Sequence, residues 1–90
     1  VRDGKSYLID CKVCSRGRFP FSRIEDNQHT AMRAWQESGN GTGWFALKCE
    51  GYIFMLDYDT LKRLSKTQSS ISFKDMCFYG RVLEAWVVFA

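Results

Sequence analysis

No stretch of this chain is long and apolar enough to cross a bilayer, which takes about 20 consecutive residues, and this excludes a spanning helix in the sequence given. No basic start followed by an apolar segment and a small-residue cleavage site is present, so secretion is not indicated and a cytoplasmic setting is the expectation. No internal repeat and no polar linker interrupt the patterning, so the 90 residues read as one domain with a thin core. Histidine occurs once, as His29, about 100° around a helix from its neighbour Gln28 and expected to face solvent. The glycine-rich segment from Gly39 to Gly43 lacks the lysine and hydroxyl residue of a phosphate-binding loop, and it reads as a connection.

What the chain has is aromatic content and a local excess of base. The formal net charge of +3 is too small to argue for nucleic acid alone, but its distribution is uneven. From Lys12 to Arg23 four basic residues (Lys12, Arg16, Arg18, Arg23) occur without an acid, and Gly17 and Pro20 mark the stretch as loop. By itself this is a solvated basic loop.

The pattern of elements is that of an α/β chain. Asp3-Gly4 predicts a hairpin turn, and Tyr7 to Val13 a strand with Tyr7, Ile9, Cys11 and Val13 on one side and Leu8, Asp10, Lys12 and Cys14 on the other. Ser22 with Glu25 three residues on matches a capping box, predicting a helix to about Ser38 with Gly39 as its stop. Its inner stripe is Ile24, Gln28, Ala31, Met32 and Trp35. Trp44 to Cys49 and Tyr52 to Asp57 predict two strands joined at Gly51. Asp59 is expected to cap a helix to about Lys66, Gln68 to Ser72 to be loop, Phe73 to Met76 to form a helical turn, and Ala85 to Phe89 a strand.

Two cysteines of the four, Cys11 and Cys14, have zinc-knuckle spacing, but on a strand they face opposite sides, which disfavours a thiolate site with Cys49 and Cys77. Cys49 and Cys77 read as small core residues, and disulfides are not expected in a reducing compartment. Trp35 and Trp44 are expected in the core. Tyr79 and Arg81 read as contacts to DNA or, ahead of that, to a second subunit.

Asp10-Cys11-Lys12 is the triplet with chemistry. It sets a carboxylate and an ammonium on one side of a strand, about 7 Å apart at the backbone. A carboxylate can hold a hard divalent cation, and a lysine can offset charge developing on phosphoryl oxygens. An isolated acid-x-lysine triplet is more often a salt bridge. Gln28 adds weight, because an amide on an apolar stripe needs partners or costs on the order of 1 to 3 kcal/mol; it can also sit at the stripe's edge and reach water. Glu25 lies one turn earlier, and capping explains it better than a role as an acid.

The runs Tyr7-Leu8-Ile9-Asp10-Cys11-Lys12, Phe19-Pro20-Phe21-Ser22-Arg23-Ile24 and Asn27-Gln28 together resemble the PD-(D/E)xK nuclease superfamily, and within it the RecU-type Holliday junction resolvases. The resemblance extends through Gly43 to Asp57 and more loosely to Glu84. It implies a restriction-endonuclease-like core, a mixed β-sheet flanked by helices, in the order helix, three antiparallel strands, helix, strand, with the N-terminal part of that core missing from this chain. It further implies Asp10 and the Cys11 carbonyl as ligands of Mg2+, with Mn2+ as a substitute, Lys12 as the charge stabiliser and Gln28 as the helper. Arg16, Arg18 and Arg23 would hold DNA, branched or duplex, and the enzyme would be a homodimer. The family's other acid precedes the hairpin; Asp3 is claimed by the turn, so an acid is expected about four residues before Val1, or two to either side, in a longer parent.

Overall fold

The computed structural model describes residues 7–89, so the expected Asp3-Gly4 turn lies outside them. It is an α/β arrangement: a mixed four-stranded sheet, a separate two-stranded ribbon and helices against the sheet. The first strand, β1 (Leu8–Val13), runs parallel to β3 (Gly43–Cys49), and between them the chain passes through the short strand β2 (Arg18–Pro20), one 3-10 turn (Phe21–Arg23) and helix α1 (Asp26–Glu37). A strand returning parallel to its neighbour needs such a crossover. The strand β4 (Tyr52–Asp57) then pairs antiparallel with β3. Their turn is the two-residue type read from Gly51, with positive φ at both Glu50 and Gly51.

The rest departs from expectation in instructive ways. Helix α2 (Tyr58–Leu64) is capped by Asp57, whose carboxylate accepts the Thr60 N–H at 3.0 Å, two residues earlier than the predicted Asp59. Gln68 to Ser72 is not all loop: β5 (Ser70–Ser72) pairs antiparallel with β2, which also corrects the reading of the whole basic segment as loop. Helix α3 (Phe73–Tyr79) runs a turn longer than predicted, with Ser72 and Asp75 forming its capping box. The predicted final strand is instead helix α4 (Leu83–Phe89), after the short strand β6 (Arg81–Val82) has closed the sheet in the order β1-β3-β4-β6. Val87 and Val88 have strand composition, but the segment is better used as a helix that lays Trp86, 6% exposed, over Ala46 and Met55 of the sheet.

The two faces of the sheet therefore differ. One carries the larger core, where Phe45, Leu47 and Leu56 meet Met32 of α1, Tyr58 and Leu61 of α2, and Met76 of α3. The other carries the smaller cluster around Trp86, packed edge-on against Tyr7 and Trp44 at 5.3 and 5.4 Å between ring centroids. Trp35 is half-buried with its indole N–H unpartnered among the described residues. Among those residues no helix is long and apolar enough to cross a membrane.

Candidate functional site

Strand β1 lies at one edge of the sheet among the described residues, and its pleat sorts its side chains in period two. Asp10 stands opposite Phe45 and Lys12 opposite Leu47, both partners fully buried, so the two polar residues face the larger core. Ile9, Cys11 and Val13 face the other way and are exposed. Lys12 Nζ lies 3.9 Å from Asp10 Oδ2, with the lysine side chain 14% and the aspartate 27% exposed. An ion pair of this kind stabilises a fold by at most about 1 kcal/mol. Neither side chain has a hydrogen bond among the described residues, so stability alone gives little reason for two half-buried charges on this face. The aliphatic stem of Lys12 can lie along the apolar layer while its ammonium reaches the carboxylate.

The backbone of β1 adds a second oxygen. Cys14 N–H donates to the Lys48 carbonyl at 2.9 Å, so Cys14 turns its polar groups towards β3, and by alternation the carbonyls of Cys11 and Val13 turn towards the outer edge. The Val13 carbonyl is taken by the Arg23 guanidinium. The Ile9 carbonyl faces the same edge, so the carbonyls of Ile9 and Cys11 are the two edge oxygens next to Asp10, and that of Cys11 lies between Asp10 and Lys12.

Gln28 is held differently from the expectation. The N-cap of α1 is Glu25 rather than Ser22, because Ile24 stays extended to bury its side chain and delays the helix by a turn. Gln28 is the third residue of the box, and its Oε1 accepts the Glu25 N–H at 2.9 Å. The cap explains its place on the stripe without a neighbouring site. Among the described residues no hydrogen bond joins it to Asp10 or Lys12. Ala31 of the predicted stripe is exposed, whereas His29 is half-buried, its Nδ1 2.7 Å from the Tyr58 hydroxyl. Helix α2 covers the side of α1 that a lone amphipathic pattern leaves to water. Burial pushes the Tyr58 hydroxyl pKa up, with Arg33 pulling it down and Asp59 adding a smaller rise.

The three arginines gather around the β2 ribbon, each fixed in a different way. Arg23 packs over the Phe19 ring, 5.5 Å from its centroid, while holding the Val13 carbonyl. Arg18 donates to Ser70 Oγ at 3.1 Å. Arg16 sits exposed at the tip of the turn with φ 53°, beside Gly17 at φ 70°. A positive φ at a non-glycine residue costs about 1 to 2 kcal/mol. Arg16→Gly is therefore expected to raise unfolding stability by about 1 kcal/mol in urea titrations. An unchanged or lower midpoint would mean that the turn carries no such strain.

Of the cysteines, Cys49 is buried as expected, but Cys77 is exposed on α3 and is not a core residue. Cys14 lies against Cys49, and burial pushes its thiol up to about 12, with the Cys49 neighbour adding to the shift and Arg23 opposing it. The neutral thiol favours the fold below the ordinary thiol pKa, and that contribution is lost as pH rises from about 9 towards 12. At pH 8, exposed Cys11 and Cys77 should alkylate with iodoacetamide well before Cys14, as peptide mass mapping would read; equal rates would contradict the burial. Among the described residues no three acidic, histidine or cysteine side chains cluster to hold a metal ion.

No protein-family model, no curated protein and no solved structure matches this chain.

Proposed function

We propose that the protein is a metal-dependent endonuclease that hydrolyses DNA phosphodiester bonds, with branched DNA as substrate. The observation that carries this reading is the juxtaposition on β1: a half-buried carboxylate and ammonium 3.9 Å apart, beside a backbone carbonyl on the edge of the strand that pairs with no other among the described residues. In support, β1, α1 and β3 follow one another as strand, helix and strand, as the resemblance to the PD-(D/E)xK superfamily implies, although β2 and a 3-10 turn come between β1 and α1.

The donor set suits Mg2+, which keeps several waters and is bound through one or two carboxylates together with substrate phosphates. Asp10 and the Cys11 carbonyl would hold it, and the upstream acid implied by the resemblance would complete the protein ligands. When bound, the ion lowers the pKa of its water and polarises the phosphate. Lys12 then faces the phosphoryl oxygens and offsets the charge that develops on them. Gln28, the helper by resemblance, has one lone pair of its Oε1 committed to the helix cap, so it would act through its Nε2 or the second lone pair. Arg16 and Arg18 hold the DNA backbone, and Arg23 braces the end of β1 as it does so. A homodimer, cutting the two strands symmetrically, follows from the resemblance alone.

A labelled four-way junction incubated with the protein should acquire nicks with 5′-phosphate ends in Mg2+ and none in EDTA. Tight, salt-sensitive binding of the junction without any nick in Mg2+ or Mn2+ would replace this reading with that of a DNA-binding module of the same fold.

A further inference from the structure

Phe78, on the outer side of α3, is 78% exposed, the highest exposure of any large apolar residue among those described. Its ring is set against Tyr79, itself 40% exposed, at 4.7 Å between centroids and 78° between planes. Helix α3 does not need either ring outside, because Met76 at 0% exposure anchors it to the core and Ser72 and Asp75 cap it. Burying a phenylalanine side chain is worth about 1.5 to 3 kcal/mol, which an exposed ring forgoes. At that exposure most of the phenyl surface is open to solvent.

The surroundings of the pair are cationic. Lys74 lies one helical turn before Phe78, on the same side of α3 and exposed. The basic turn reaches the start of this helix: the Gly17 carbonyl accepts the Phe73 N–H at 2.9 Å, so the exposed Arg16 and Arg18 flank the residue preceding Lys74. Among the described residues two acids border this region: Glu50, whose carboxylate lies beside Gly17, and Asp75, which shares a hollow with Lys74, Phe78 and Tyr79 but is bonded to the Ser72 N–H at 3.2 Å and to Gln68 Nε2 at 3.0 Å. These bonds, with Arg18 nearby, hold the Asp75 carboxyl below the ordinary carboxylate range. An exposed aromatic pair at the end of a basic track fits a nucleic-acid strand, whose bases stack while its phosphates follow the cations. Phenylalanine, tyrosine and arginine are also enriched where proteins dock, so a second copy of this chain is the competing occupant that the test has to separate.

We infer that Phe78 and Tyr79 form a stacking platform for an unpaired nucleobase of DNA, with the adjoining phosphates held by Lys74 and the Arg16 turn. The inference rests on the DNA reading above and narrows its substrate to strands with unstacked bases, such as those at a branch point.

A single-stranded oligonucleotide carrying one 2-aminopurine tests it, since that base loses fluorescence on stacking. Binding to the full chain should quench it. Phe78→Ala should abolish the quench and weaken oligonucleotide binding about tenfold, at the lower end of what one stacked base contributes, while affinity for blunt duplex stays unchanged. Phe78→Trp should restore both. Unchanged quench and affinity in Phe78→Ala would overturn the inference, as would an equal loss on duplex. Sedimentation in which Phe78→Ala converts dimers to monomers without altering DNA binding would assign the patch to a second copy instead. Asp10→Ala is the control that separates the two proposals: if the wild type does not nick but Phe78 still governs stacking, only the nuclease reading fails; if nicking depends on Asp10 but Phe78→Ala binds normally, only the platform fails.

Discussion

Asp10→Ala is expected to abolish Mg2+-dependent nicking, with single-turnover rates at least about a thousandfold below wild type, because it removes the only side-chain oxygen that β1 offers a metal. Lys12→Ala should lose about a hundred- to a thousandfold, the effect of removing one group that stabilises transition-state charge. The two losses should not multiply in the double variant, since both groups act on one phosphate. Stability should hardly change in either case. The gain from placing alanine on an apolar face offsets part of the cost of leaving the other charge without its partner, and that remaining ammonium or carboxylate can still reach water. Retained nicking in Asp10→Ala would remove the carboxylate from the reaction, and loss of folding in both variants would make the pair structural.

Phe45→Ala is expected to be the most destabilising single change near the site. Phe45 is fully buried on β3, lies opposite Asp10 and packs 6.3 Å from the Tyr58 ring. Truncating a buried phenylalanine costs about 3 to 5 kcal/mol. A 90-residue domain has roughly 5 to 13 kcal/mol of total stability, so this one change takes a large share of it. Urea unfolding should show a lower midpoint, and nicking should fall along with the folded fraction. A midpoint near that of wild type would mean that the layer beneath Asp10 is not the packed support described here.

How much of this could be read from residues alone depended on whether the deciding interaction was local. The Glu50-Gly51 turn, the Gly39 stop, with φ 75°, and the alternation of β1 are local, and each is where the pattern put it. The orientation of Asp10 and Lys12 follows from the same pleat. The β2 and β5 pairing joins Arg18 to Ser72, far apart in sequence, and nothing near Ser70 signals a strand. Ser22 has the right spacing for a cap but loses to Glu25, because burying Ile24 holds the chain extended between them. His29 looked solvent-facing until α2 covered it with Tyr58. The last helix runs against local preference, because Val87 and Val88 favour strands whereas tertiary packing of Trp86 selects the helix. In the site, the capping role of Gln28 is hard to see from residues alone, because Ser22 with Glu25 fits the usual box pattern while the box that forms pairs Glu25 with Gln28.

The most direct test concerns the carboxylate itself, through Mn2+ binding followed by electron paramagnetic resonance in wild type, Lys12→Ala and Asp10→Ala. If β1 presents one side-chain oxygen and one edge carbonyl to a cation, wild type binds, Lys12→Ala binds more tightly for want of the competing ammonium, and Asp10→Ala loses the site. Identical titrations for all three proteins would leave the strand with no metal to hold and the proposed hydrolysis without its centre.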